Sequence, residues 1–140
     1  MGLGPYYLGD TSALARRSDP LVASRLDPLL EAGLVARCSI TDLEAGFSSR
    51  SPVAHRRMRA ERATWPFAPL SQDVLTRAVE VQDALAARSR HRGAKIADLL
   101  IAAAAEANDL VVLHYDRDFE VIADVTRQRT EWIVPAGSAS

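Results

Sequence analysis

The stretch Pro5-Tyr6-Tyr7-Leu8-Gly9-Asp10-Thr11-Ser12 decides how this chain is read. Its apolar half predicts a short strand. The Asp-Thr-Ser that follows predicts a turn into a helix, because all three side chains can cap one. The same alternation runs outward from there. Residues 34–39 form a second short apolar strand, Leu110-Val111-Val112-Leu113 a third and Trp132-Ile133-Val134 a last one. Residues 20–32 between them read as a helix, with Asp19 as cap, Pro20 at its first position and Gly33 to close it. Ser39 or Thr41 caps a helix running to about residue 48, Pro52 marks a break, and residues 53–62 form a basic helix. Residues 65–70 hold two prolines and fit only an edge strand. Ser71 caps a long helix with Val74, Leu75, Ala78, Val81, Gln82 and Leu85 near helical spacing, ending before Gly93. Residues 95–107 are apolar almost all round, which predicts a buried helix, and Asp116 starts another. Strands alternating with helices predict an α/β sandwich around a mostly parallel sheet, in one domain spanning residues 1–140 with a frayed tail at 135–140. Ligands of such sheets sit at the carboxyl ends of the strands.

Composition places the chain among ordinary globular proteins, with 48% hydrophobic and 25% charged residues. Its only cysteine, Cys38, excludes an internal disulfide framework and a multi-cysteine metal site, and fits a reducing compartment. No charge-free apolar run approaches the roughly 20 residues that span a bilayer. Residues 1–10 lack the basic start and apolar middle of a signal peptide. The expected location is the cytoplasm, with no membrane partner.

A net charge of −1 conceals local clustering. Arg50, His55, Arg56, Arg57, Arg59 and Arg62 form one basic group, and Arg88, Arg90, His91, Arg92 and Lys95 another. Arginine forks onto phosphate with two hydrogen bonds, so Arg56, Arg59, Arg92 and Lys95 are candidate RNA contacts. Solvated helix faces are the competing reading.

Four carboxylates stand out. Asp10 directly follows the first strand; Thr11 and Ser12 are themselves good caps, so Asp10 is not required for capping. At 100° per residue, Ile40, Leu43 and Phe47 share a helix face that includes Glu44, while Asp42 points away. A carboxylate among apolar residues is costly unless it meets a metal or pairs with an arginine. Asp98 lies in the first turn of the most apolar helix, where interaction with the helix dipole contributes about 0.3–1 kcal/mol. Asp116 follows the third strand, with Asp118 a weaker candidate two residues on. Clustered carboxylates repel until a cation neutralises them, and oxygen-only ligands select Mg2+ or Mn2+. Cys38 and the histidines show no zinc-ligand spacing.

Gly9-Asp10-Thr11-Ser12-Ala13-Leu14, Ser39-Ile40-Thr41-Asp42-Leu43-Glu44, Ile96-Ala97-Asp98-Leu99-Leu100-Ile101-Ala102-Ala103 and His114-Tyr115-Asp116-Arg117-Asp118-Phe119 resemble, in order, the four motifs of PIN-domain proteins, above all the toxins of VapBC toxin–antitoxin pairs. The resemblance implies an α/β/α sandwich with four or five mostly parallel strands and a Mg2+- or Mn2+-dependent endoribonuclease. It makes Asp10 and Asp98 the principal metal ligands, Glu44 the second-motif acid, Asp116 the fourth, and Thr11 or Ser12 the hydroxyl beside the first acid. His114 departs from the Thr or Ser usual in that motif. RNA as substrate, a homodimer and a VapB-like antitoxin whose tail blocks the site are further implications. A phosphatase or receiver domain fits less well, because the only lysine, Lys95, precedes a helix rather than following a late strand. A non-catalytic RNA-binding or regulatory module of the same fold is the remaining alternative, against which the intact acids speak.

Overall fold

A computed structural model describes residues 4–140; residues 1–3, part of the stretch read above for a signal peptide, lie outside it. Four strands form one parallel sheet in the order β2-β1-β3-β4, with β1 at Tyr7–Gly9, β2 at Val35–Ala36, β3 at Val111–His114 and β4 at Thr130–Trp132. The helices are α1 (Thr11–Leu14), α2 (Pro20–Glu31), α3 (Ser39–Phe47), α4 (Pro52–Arg62), α5 (Gln72–Ala86), α6 (Ile96–Ala107) and α7 (Asp118–Thr126).

The period of two along the strands sorts the core into two layers. Leu8, Ala36 and Val112 turn to one face and pack with residues of α5, α6 and α7, among them Leu85, Ile101, Phe119 and Ile122. Val35 and Leu113 turn to the other face, with Leu14, Val22, Leu26 and Ile133. The product is the expected α/β/α sandwich. The alanines of α6 make it thin enough to lie close to the sheet, and Ala102 to Ala105 are buried. Gly9 ends β1 where a Cβ would come 2.9 Å from Val35 Cγ1, and Gly33, at φ +70°, turns the chain out of α2.

Several local expectations are corrected. β4 lies at Thr130–Trp132, not at residues 132–134. It is the outer strand and its three residues are all half-buried, so apolar content does not mark its ladder. Ile133 only extends the pairing, donating its N–H to His114 O at 2.7 Å. The residue that caps α3 is Cys38, whose N–H donates to Thr41 Oγ1 at 3.2 Å. Pro52 follows the expected break after α3 and is itself the first residue of α4, with Ser51 Oγ accepting from Ala54 N. Residues 65–70 behave as an edge, joined to the sheet by a single parallel bridge between Arg37 and Phe67. At the carboxyl end, Ala139 N donates to Tyr115 Oη at 3.0 Å, and Ser140 N to Asp19 Oδ2 at 3.0 Å. No helix among the described residues is long and apolar enough to cross a membrane.

Candidate metal centre

The two central strands deliver two of the acids. Asp10 leaves β1 while its N–H still donates to Leu113 O at 2.9 Å, so the sheet itself fixes its backbone. Of the three possible caps in the sequence, Asp10 is the one that caps α1. Its Oδ2 accepts from Ser12 N and Ser12 Oγ, and it does so because the strand places Asp10 at the turn before Thr11 and Ser12 arrive. Its other oxygen, Oδ1, is buried with no hydrogen-bond partner. Ser12 Oγ also accepts from Tyr115 N at 2.8 Å, tying the end of β1 to the end of β3.

Asp116 lies beyond β3. Its N–H donates to His114 Nδ1 at 3.1 Å and its Oδ1 accepts from Asp118 N at 2.9 Å. His114 is completely buried between the rings of Phe119 and Trp132, with centroids 5.0 Å away in each case. Burial pushes its pKa down to about 4, against the pull of Asp116 and Glu120. The imidazole is therefore neutral, and its Nδ1 serves as the acceptor that orients the Asp116 backbone.

Asp98 comes from the first turn of α6 and is buried. Burial, then a hydrogen bond with Asp118, then the charge of Asp10, push its pKa up to about 8. Burial also acts to raise Asp118, but hydrogen bonds from Asp98 and Lys95 outweigh it and hold Asp118 below its ordinary value. Asp98 Oδ2 is a second buried carboxylate oxygen without a hydrogen bond. Asp98, Asp116 and Asp118 each present an oxygen within 4.8 Å of the others. Asp118, the weaker sequence candidate, thus belongs to the cluster together with Asp116. Asp10 adjoins it: burial raises its pKa, Ser12 opposes this, and the charge of Glu44 adds to it.

Glu44 is placed differently from Asp42, and in a way that overturns the expected helix phase. Asp42 is the buried acid of α3; it pairs with Arg37 at 2.6 Å and Arg62 at 3.3 Å. The face carrying Leu43 and Phe47 turns outward, with those side chains 61% and 93% exposed. Two arginines compensate the buried charge, so α3 can turn an acid inward and leave large apolar residues outside. Glu44 is half-buried and still reaches the site, accepting from Thr11 Oγ1 at 2.7 Å.

The basic candidates divide. Arg62 is withdrawn into its pair with Asp42 and stacks over Trp65, so it is unavailable to RNA. Arg59 is half-buried and lies with His55 against Gly46 of α3. Arg56 and Arg92 are exposed. Lys95 sits in the acidic cluster, with Nζ 3.0 Å from Asp116 Oδ2, 3.0 Å from Asp118 Oδ2 and 3.7 Å from Asp98 Oδ2. This placement escaped the sequence, where Lys95 reads as the end of a basic run.

A hard divalent cation fits these residues. The donors are all carboxylate oxygens, two of them are buried without a hydrogen bond, and burial together with the neighbouring carboxylates pushes the Asp98 carboxyl up to about 8.

Fold and site together define an α/β/α protein with an acidic centre at the carboxyl edge of a parallel sheet. The PIN domain model matches residues 7–125, and the chain belongs to the PIN-domain family. It is 48% identical over 134 residues to Ribonuclease VapC21 of Mycobacterium tuberculosis, covering 95% of this chain and 97% of that protein. To Ribonuclease VapC51 of the same organism it is 50% identical over 132 residues, covering 94% and 96%. The fold is similar to that of a chain in the crystal structure of DNA-bound VapBC from Salmonella typhimurium, with a TM-score of 0.73, 18% identity, and 93% and 99% of the two chains covered. A chain of FitAB bound to an IR36 DNA fragment gives a TM-score of 0.71 at 20% identity, covering 91% and 94%.

Proposed function

We propose that this protein is a divalent-cation-dependent endoribonuclease and the toxin of a type II toxin–antitoxin pair. The observation that carries the reading is the pair of buried oxygens without a hydrogen bond, Asp10 Oδ1 and Asp98 Oδ2, beside the Asp98–Asp116–Asp118 cluster. The full-length similarity to proteins named Ribonuclease VapC supports RNA as the substrate.

Asp10, Asp98 and Asp116 would hold the cation, with Asp118 completing the oxygen set. When bound, Mg2+ or Mn2+ supplies a more acidic water and neutralises charge on the phosphoryl oxygens. The protein's own groups do the rest. Thr11 holds Glu44 by Oε1, which leaves the other carboxylate oxygen to orient a water or accept its proton. Ser12 keeps Asp10 and the end of β3 in register, and neutral His114 fixes the Asp116 backbone. Arg56 and Arg92 would hold the RNA backbone.

A VapB-like antitoxin, a homodimer and a cytoplasmic location complete the proposal. Exposed Leu43 and Phe47 offer apolar surface for a protein partner, and the buried free thiol of Cys38 suits a reducing compartment.

Cleavage of RNA by the purified protein in Mg2+, its loss in chelator and its recovery with Mn2+ test the enzyme reading. RNA binding without cleavage under all three conditions would leave the non-catalytic module as the better account.

A further inference from the structure

We propose that Lys95 is a tethered counter-ion of the acidic centre, and that a divalent cation must displace its ammonium group from Asp116 and Asp118 in order to bind. The inference rests on the metal-dependent reading above. Lys95 is the only lysine in the chain; the other sixteen basic residues are arginines. Its Nζ faces the same three carboxylates whose oxygens lie within 4.8 Å of one another. The ammonium therefore stands where a cation shared by those acids would stand. Its backbone takes part as well: Lys95 N donates to Asp118 Oδ2 at 3.3 Å, so the residue is held to the cluster at two points just before α6.

The chemistry of the side chain suits the role. An ammonium is a compact point charge on a flexible four-carbon stem, whereas a guanidinium is a broad planar fork. The Lys95 side chain is 67% exposed, so its head can swing into water without leaving a buried charge behind. The Arg37–Asp42–Arg62 group is the contrasting case, since its members are enclosed and cannot separate cheaply. Exposed ion pairs are individually weak, and a divalent cation ligated by several carboxylates outcompetes them. Until it arrives, the ammonium relieves the repulsion among Asp98, Asp116 and Asp118. Metal affinity is then lowered by the fraction of time the acids are engaged.

The test uses three proteins: the wild type, Lys95→Met, which keeps the stem and removes the charge, and Lys95→Arg, which keeps the charge. Mn2+ is titrated into each by calorimetry, and thermal unfolding is recorded with and without Mn2+. Lys95→Met should bind Mn2+ about tenfold more tightly, the factor expected if the acids are engaged about nine-tenths of the time. It should also unfold at a lower temperature without metal and show the larger rise with it. Lys95→Arg keeps the charge in a broader head and should bind Mn2+ no more tightly than the wild type. Equal or weaker Mn2+ affinity in a Lys95→Met protein with native circular dichroism would overturn the proposal and put the cation on the Asp10 side of the centre. A wild type that takes up no Mn2+ is a different failure, removing the metal-dependent reading and this proposal with it.

Discussion

Thr11 Oγ1 donates to Glu44 Oε1 at 2.7 Å, a bond that fastens α3 to the turn leaving β1. Two residues earlier on the same helix, Asp42 points away from this turn and is locked between Arg37 and Arg62. Two acids of one short helix thus have separable duties, and substitution should separate them. Asp42→Asn leaves Arg62 buried without its counter-charge, which costs roughly 3 kcal/mol. For a domain of this size that lowers the melting temperature by about 10 °C. Glu44→Gln should leave the melting temperature nearly unchanged and reduce RNA cleavage by about 100-fold, the scale of a lost proton acceptor. Thermal melts and single-turnover cleavage of the two variants decide it. An Asp42→Asn protein as stable as the wild type would refute the ion-pair account of α3.

Asp98 sets the second expectation. Its folded pKa of about 8 lies above the value of about 4 in an unfolded chain, so the folded state binds the extra proton. Stability from this group is fully present below about pH 4 and is lost as pH rises through 8. Without metal, the wild type should therefore become less stable from pH 5 to pH 8. Asp98→Asn should flatten that slope, be at least as stable as the wild type at pH 8 without metal, and gain far less from Mn2+. Urea midpoints at the two pH values, with and without Mn2+, measure all three effects. A steep wild-type slope that persists unchanged in Asp98→Asn would assign the titration to another group.

What could be read from the sequence depended on how local the determinant was. β1, β3 and the helices around them are set by short apolar runs, caps and breakers, and the acids at the strand ends followed from the rule that ligands sit at the carboxyl edge. The phase of α3 is not legible in a hydrophobic-face argument, which sees Leu43 and Phe47 but not Arg37 and Arg62, the partners from other elements that dictate its burial. β4 was displaced by two residues because an outer strand needs only one paired side, and Thr130 and Glu131 serve as well as apolar residues. Asp116 and Asp118 looked like rivals in sequence, although a tight turn lets both face Asp98. Lys95 stands three residues before Asp98, a local spacing, but its meeting with Asp116 and Asp118 is a tertiary fact.

His114 provides a third test. Its Nδ1 accepts from Asp116 N, a duty that a Thr hydroxyl can also perform, though from a smaller side chain. His114→Thr should therefore retain cleavage within a few-fold, at a stability cost of about 2 kcal/mol for the lost packing against Phe119 and Trp132. His114→Ala offers no acceptor and should lose about tenfold more activity than His114→Thr at similar stability. The pH sign also follows. A histidine whose folded pKa is depressed to about 4 contributes stability present above its unfolded value near 6.5, and loses it as pH falls through 4. The wild type should thus lose more stability than His114→Thr between pH 6.5 and pH 4. Equal acid sensitivity of the two would show that the imidazole is not held neutral.

The last expectation concerns the path of the RNA. The structure narrows the basic candidates, because Arg62 is enclosed with Asp42 and Arg59 lies against Gly46, while Arg56 and Arg92 are free in solvent. Arg92 stands three residues before Lys95, at the entrance to α6. Arg56 stands on α4, which packs against the helix bearing Glu44. If these two hold phosphates on either side of the acids, each contributes affinity and no chemistry. Each phosphate contact on a single strand contributes about 0.7 to the slope of log affinity against log salt. Arg56→Ala and Arg92→Ala should each flatten that slope by about 0.7, and the double variant by about 1.4, with turnover at saturating RNA unchanged. Binding measured from 50 to 300 mM salt, in a version carrying Asp98→Asn so that the RNA survives, gives the slopes directly. A flattened slope in Arg92→Ala alone would run the RNA along the loop before α6 and leave α4 to a protein partner. Unchanged slopes in both folded variants would eliminate the two arginines as phosphate contacts.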